Sequence, residues 1–212
     1  STSVAESGTT DTFTVVLNAQ PASNVVLTVT SSDTGEATVN TPLTFTSGNW
    51  NTAQTVTVTG VDDNIIDGSI NSTITVSVND GSSDNNFDPV ADQTVTATTT
   101  DNDVAGFTIA QTGGSTSVAE TGTTDTFTIV LNAQPASNVV LTVTSSDTGE
   151  ATVNTPLTFT SGNWNTPQTV TVTGVDDNII DGTISSTITI AVIDAISDND
   201  FDAVANQTVT AT

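Results

Sequence analysis

Lysine, arginine and histidine are all missing from this chain of 212 residues, which carries 24 acidic groups and a formal net charge of −24. A surface without cations cannot neutralise phosphates, so nucleic acid is excluded as a partner, and so is an anionic membrane face. Cysteine is missing too, which removes any disulfide framework and leaves the redox compartment unread. Without His, Cys, Lys or Tyr, Ser-His, Cys-His and Schiff-base chemistries have no reactants, and no enzyme activity is expected. No apolar run has the length of a membrane helix and no signal-peptide pattern is present, so membrane insertion is not expected. Hydrophobic residues make up only 34%. Low hydrophobicity with high net charge can mean disorder. Here, however, Val, Ile, Leu and Phe alternate with Thr and Ser, which is the period-two pattern of half-buried strands.

What is present is a repeat. Residues 1–98 align with 115–212 at an offset of 114 without a gap, and 85 of the 98 positions are identical. Two domains are expected, 1–103 and 104–212, each large enough to fold alone. Copy two opens with Phe107-Thr108-Ile109-Ala110, for which copy one has no counterpart, so the first strand of copy one is expected to be cut short. Copy two stops at Thr212, before any equivalent of Asp101-Asn102-Asp103. The chain reads as an internal fragment of a longer protein. Six of the 13 differences between the copies fall in 79–92, a loop by composition, where drift is tolerated.

Each copy shows short alternating runs separated by turn signals at roughly 8–12-residue spacing. Seven strands per copy are expected, forming an all-β, antiparallel, immunoglobulin-like sandwich. Residues 37–46 are counted as one strand broken at Pro42, an edge or bulge position.

The chemistry lies in Val61-Asp62-Asp63-Asn64-Ile65-Ile66-Asp67-Gly68, repeated unchanged at 175–182. In an antiparallel sandwich alternate strands end at one pole. The first, third, fifth and seventh strands then deliver Glu6; Asp33 and Glu36; Asp62, Asp63 and Asp67; and Asp101 and Asp103. Two carboxylates 4 Å apart repel by about 4 kcal/mol at a protein surface. Several together would rival the stability of a small domain unless a cation joins them. Calcium, which takes six to eight oxygen ligands from flexible loops, suits the set. The expected ligands are Glu6, Asp33, Asp62, Asp63, Asp67, Asp101 and Asp103 in copy one, and Glu120, Asp147, Asp176, Asp177 and Asp181 in copy two. Copy two lacks the two linker acids, so its site should be the weaker. The alternative is a set of solvated, mutually screened surface acids. An EF-hand is excluded, because Ile65 and Ile74 stand where that loop needs oxygen ligands.

Other patterns are weaker. Asp84-Asn85-Asn86-Phe87-Asp88 and Asp198-Asn199-Asp200-Phe201-Asp202 read as solvated loops at the opposite pole. Asp33-Thr34-Gly35 and Asp147-Thr148-Gly149 spell the aspartic-protease triplet, but that chemistry needs both aspartates in one cleft. Trp50 and Trp164 are read as caps on the core rather than sugar platforms.

The run Thr44-Phe45-Thr46-Ser47-Gly48-Asn49-Trp50-Asn51-Thr52, the run Gln54-Thr55-Val56-Thr57-Val58-Thr59-Gly60-Val61-Asp62-Asp63 and the closing Asp101-Asn102-Asp103 resemble the Calx-β-like repeats of giant bacterial surface adhesins, those of gliding flavobacteria included. The likeness covers essentially the whole chain, twice. It implies an extracellular module on the bacterial cell surface, serving adhesion and gliding motility. It also implies calcium at one end of the sandwich, with neighbouring repeats as partners. On that reading the repeats form a stalk stiffened by calcium at the domain junctions. The alternative is a module that binds extracellular polysaccharide or a solid surface. Near-identical copies favour the stalk, since a shaft needs only length.

Overall fold

The computed structural model describes residues 1–180 and 182–212. Asp181, one of the expected ligands, lies outside the described residues. The chain divides into two compact units, one of Ser1–Asp63 with Asp67–Asn102, the other of Asn64–Ile66 with Asp103–Thr212.

The first unit holds β1 (Thr2–Ala5), β2 (Thr10–Val15), β3 (Val25–Ser31), β4 (Ala37–Val39), β5 (Leu43–Phe45), β6 (Gln54–Gly60), β7 (Ser69–Val78) and β8 (Gln93–Thr100). They form a sheet in the order β1-β8-β7-β3-β5 and a smaller one in the order β2-β6-β4. Alternation decides the faces: along β6, Val56 and Val58 are buried while the threonines beside them are not. Val25, Val29, Phe45, Val56, Val58 and Ile74 form the middle of the core between the sheets.

Residues 37–46 are two strands, one more than the sequence pattern suggests. β4 pairs with β6 and β5 with β3, so the chain changes sheets between them. Proline has no N–H for a ladder, and Pro42 falls at the crossing. Side chains fasten the crossing: Thr41 Oγ1 accepts from Val29 N at 2.9 Å, and Asn40 Oδ1 from Thr57 N. β4 and β5 are both antiparallel to the strands they meet. The alternation of strand direction therefore survives the extra strand.

A second departure is β1, which pairs with β8 in parallel, Thr2 opposite Ala97 through Ala5 opposite Thr100. The other strand pairs are antiparallel. Gly8, at φ 81°, turns the chain out of β1 into β2 in the other sheet. Few residues besides glycine take that conformation readily.

The second unit holds β9 (Phe107–Gln111), β10 (Thr124–Leu131), β11 (Val139–Ser145), β12 (Ala151–Val153), β13 (Leu157–Phe159), β14 (Gln168–Gly174), β15 (Ser186–Val192) and β16 (Gln207–Ala211). Its sheets run β12-β14-β10-β9 and β13-β11-β15-β16. β9 lies antiparallel on β10, Phe107 opposite Leu131 through Gln111 opposite Phe127. Both units are all-β sandwiches of immunoglobulin-like type. Among the described residues no helix is long and apolar enough to cross a membrane.

Gly60 and Gly174 close β6 and β14 where the backbone of the preceding turn comes closest. A Cβ at either would overlap a carbonyl oxygen, of Ala5 or of Ala119. Gly60→Ala and Gly174→Ala should each destabilise their unit by about 1–3 kcal/mol, the cost of overpacking against backbone. Gly48→Ala is the control, because the nearest atom to its new Cβ is Thr46 Oγ1 at 3.8 Å. Urea denaturation with equal melting of all three variants would contradict the close approach.

Candidate metal centre

The acids of the first unit are brought together by backbone bonds. Glu6 continues the parallel ladder of β1, its N donating to Thr100 O at 3.1 Å. Glu36 sits in the turn between β3 and β4. Its carbonyl accepts from Val61 N at 2.9 Å and from Thr99 Oγ1 at 3.2 Å, which joins three strand ends. Asp67 lies in the acidic loop after β6. Its N and that of Gly68 both donate to Asp101 Oδ2, at 3.0 and 2.9 Å. Gly68, at φ 75°, turns the loop into β7.

Carboxylate oxygens of Glu6, Glu36 and Asp67 converge to within 4.8 Å of one another. Glu6 is 1% exposed and Glu36 7%. Glu6 Oε2 accepts a long bond from Asn102 N, 3.4 Å. Glu6 Oε1 and Glu36 Oε2 are buried without any hydrogen-bond partner. A buried polar atom left unpaired costs about 1–3 kcal/mol, more when charged. The acids that carry these two atoms lie together, an electrostatic demand that no hydrogen-bond donor in the protein meets.

The electrostatics agree. Burial, followed by the charges of Asp101, Asp63 and Asp67, raises the Glu6 pKa from its ordinary 4.5 to about 7, against the opposing pull of the Asn102 N–H. Burial and then the Asp67, Asp63, Asp33 and Asp101 charges push Glu36 upward. Asp67 is raised by burial and then by Asp63 and Asp101.

The structure sorts the expected ligands. Glu6 and Asp67 meet. Asp101 also brings an oxygen within 4.8 Å of Glu6, besides holding the acidic loop in place. Asp33 Oδ1 accepts from Gly35 N at 3.0 Å and shapes its own turn. Asp62 Oδ1 accepts from Asn102 Nδ2 at 3.3 Å. Asp63 acts on the trio through its charge. Asp103 belongs to the second unit. Glu36 stood outside the expected ligand set, which favoured the conspicuous aspartates. One signal could have found it: each copy contains only two glutamates, and both of those in copy one are buried at this pole.

In the second unit the twins are looser. Glu120 and Glu150 are only half-buried and line an opening of about 350 Å³ beside Gly182, Ser186 and Thr212. Asp147 Oδ1 accepts from Gly149 N, Asp177 Oδ1 from Ile179 N, and Asp176 is exposed. Among the described residues no three acids of this unit converge.

At the other pole the loops differ from the solvated acids expected of them. Asp84 is 6% exposed. Its Oδ2 accepts from Ala22 N at 2.7 Å and Ser23 N at 3.1 Å, its Oδ1 from Asn86 N at 3.0 Å. Those backbone N–H groups of Asn86, Ser23 and Ala22 hold its pKa below the ordinary aspartate value. Asp198 repeats the arrangement with Ser137 and Asp200; burial pushes it up, and the backbone donors outweigh that. These aspartates pin a loop, with both oxygens accepting from backbone N–H groups.

No protein-family model matches the sequence, and no curated protein matches it. Among solved structures the chain is similar to the calcium-binding domain CBD12 of CALX1.1, at 14% identity over 90% of this chain and 76% of that one, TM-score 0.35. It is similar to CBD12 of CALX1.2 at 13% identity over 89% and 76%, TM-score 0.34. It is also similar to domains 4 and 5 of the S-layer protein SbsC, at 20% identity over 88% and 69%, TM-score 0.38.

The pKa of Glu6 sets a pH dependence for the chelated protein. A carboxylate whose folded pKa is raised binds its proton more tightly when folded, so its contribution is favourable below the unfolded value and is lost as pH rises. Between pH 4.5 and about 7 the metal-free first unit should lose stability, on the order of 3 kcal/mol from Glu6 alone. Asp84 and Asp198 act with the opposite sign, losing their contribution as pH falls below the ordinary aspartate range. Urea midpoints taken in chelator from pH 4.5 to 7.5 should fall, and Glu6→Gln should flatten that slope. A rising slope would mean the Glu6 carboxylate is better solvated than its burial shows.

Proposed function

We propose that this chain is a pair of structural repeats from the stalk of a bacterial surface adhesin, and that Glu6, Glu36 and Asp67 of the first unit hold a calcium ion that stiffens it. The observation that carries the reading is that Glu6 and Glu36, each with one buried, unpartnered oxygen, bring carboxylates within 4.8 Å of each other and of Asp67. The chain has no Lys, Arg or His to answer them. If all three were charged, each pair would repel by about 3–4 kcal/mol at an effective dielectric near 20.

The donor set decides which ion fits. The donors are hard carboxylate oxygens, with no nitrogen or sulfur ligand within the chain, which disfavours zinc and copper. The acids come from the end of β1, the β3–β4 turn and the acidic loop after β6, an adaptable frame suited to the irregular shell of calcium. Magnesium demands near-ideal octahedral geometry and keeps most of its water. A bound ion would neutralise Glu6, Glu36 and Asp67 and tie the acidic loop to β1 and the β3–β4 turn. Extracellular modules bind calcium at roughly 0.1–1 mM, so a surface location would keep such a site filled.

The stalk role rests on the repeat itself. Copies identical at 85 of 98 positions supply length and uniform mechanics, with no requirement for one distinctive binding or catalytic surface. The role is read as non-catalytic: the acids surround a point rather than lining a cleft open to substrate.

Thermal melts in calcium and in chelator test the proposal. At 100 times the dissociation constant calcium adds about 2.7 kcal/mol to the state that binds it. That corresponds to a rise of roughly 10–20 °C in the melting temperature of a unit this size. The double variant Glu6→Gln, Glu36→Gln should melt higher than the parent in chelator at pH 7 and lower in calcium. Calorimetry should place the tighter site in the first unit. Identical melts with and without calcium, or a double variant that binds as the parent does, would overturn the assignment.

A further inference from the structure

Four consecutive residues, at the end of β8 and just beyond it, touch every acid of the trio in the first unit. Thr99 Oγ1 donates to Glu36 O at 3.2 Å, and Thr100 O accepts from Glu6 N at 3.1 Å. Asp101 Oδ2 accepts from Asp67 N and Gly68 N, and Asn102 N donates to Glu6 Oε2 at 3.4 Å. In these contacts only Asp101 acts through a charged side chain.

The three acids depend on this segment to different degrees. Glu6 continues the ladder of β1, and Glu36 sits in a turn closed by Val61 N. Asp67 lies in the stretch between Gly60, where β6 ends, and Ser69, where β7 begins. The N–H bonds from Asp67 and Gly68 to Asp101 Oδ2, at 3.0 and 2.9 Å, tie this end of the loop to the end of β8. Gly68, at φ 75°, has the widest conformational freedom of any residue type, so the turn it makes needs an anchor from outside. The start of the loop is held from the same segment, Asn102 Nδ2 donating to Asp62 Oδ1 at 3.3 Å. A carboxylate oxygen has two lone pairs, and two N–H groups take up both of those on Asp101 Oδ2. That oxygen is engaged with the loop and is not open to an ion.

We propose that Asp101 is the positioning residue of the cation site: by fixing the backbone of Asp67 and Gly68 it brings the Asp67 carboxylate to Glu6 and Glu36, and it acts through Asp67 instead of as a ligand. The inference rests on the calcium reading above and adds a division of labour among the acids. Asp67 meets the ion, and Asp101 holds Asp67 there. Affinity in calcium sites follows ligand charge and the rigidity of the frame, and Asp101 supplies rigidity.

Variants of the whole chain separate anchoring from ligation. Asp101→Asn keeps an acceptor oxygen for the two N–H groups, without the charge that strengthens such bonds. Asp101→Ala removes the acceptor, and Asp67→Asn removes the ligand's charge. By titration calorimetry, calcium affinity of the first unit should fall at least about tenfold in Asp101→Ala and about threefold or less in Asp101→Asn. Adding Asp67→Asn to Asp101→Ala should cost less than Asp67→Asn costs the parent, because the two residues act as one. Hydrogen exchange in chelator is the second readout. The Asp67 and Gly68 amides should lose protection in Asp101→Ala and keep it in Asp101→Asn, with the amides of β3 and β6 unchanged in both. Equal loss of affinity in the Asn and Ala variants would make Asp101 a ligand and overturn the proposal. So would loop amides that exchange alike in all three proteins, or a loss of protection that spreads through β3 and β6, which would make Asp101 a residue of the fold at large. A parent chain that takes up no calcium would overturn the calcium reading itself and this role with it, a result distinct from calcium binding that survives Asp101→Ala.

Discussion

Burying negative charge in a chain that owns no cation is the constraint on which the first unit turns. Glu6 and Glu36 are both nearly solvent-free, and each keeps one oxygen without a partner. Each is held there by ordinary backbone geometry: the parallel β1–β8 ladder for Glu6, and the turn closed by Val61 N for Glu36. Those bonds would form with alanine at either position. The acids are therefore extra to folding and, while charged, unfavourable to it.

The two poles of the same unit use the same functional group in opposite ways. Asp84 accepts backbone N–H bonds on both oxygens and is held anionic. Glu6 accepts one long bond and is held toward the neutral form. Burial alone does not decide between these outcomes, since Asp84 is 6% exposed and Glu36 7%. The difference is whether donors accompany the acid into the interior. One end is a closed structural knot, the other an open electrostatic demand.

Identical residues of the repeat lie in different surroundings in the two units. Glu6 and Glu120 occupy identical places in the repeat, yet one is buried and the other half-exposed. In the first unit β8 continues to Thr100 and pairs with β7 from Asn71–Thr98 to Ser69–Thr100, positions whose equivalents in the second unit fall at and beyond Thr212, the last residue given. Phe13 and Phe127 differ in the same sense at the opposite edge, where β9 pairs with β10 and the equivalent positions of the first unit would precede Ser1. In each case a few residues of added strand convert half-buried positions into core, because a sheet face is buried only when its neighbour is in place.

Much of this architecture was legible in the residues. Alternation of Val and Thr marked the strands, the offset of 114 marked the two copies of the repeat, and alternate strand ends marked the pole to which Glu6, Glu36 and Asp67 come. Those are periodic or topological properties, and they follow from chain geometry. What the tertiary structure alone decided were contacts between segments distant in sequence. The change of sheet at Pro42 and the parallel seating of β1 against β8 depend on which edges are free when the sheets assemble. The choice of Glu36 over Asp33 depends on side-chain reach: one acid extends inward while the other turns back onto Gly35 N. Sequence by itself determined that the acids would gather at one end; only the packed structure decided which of them lost their water.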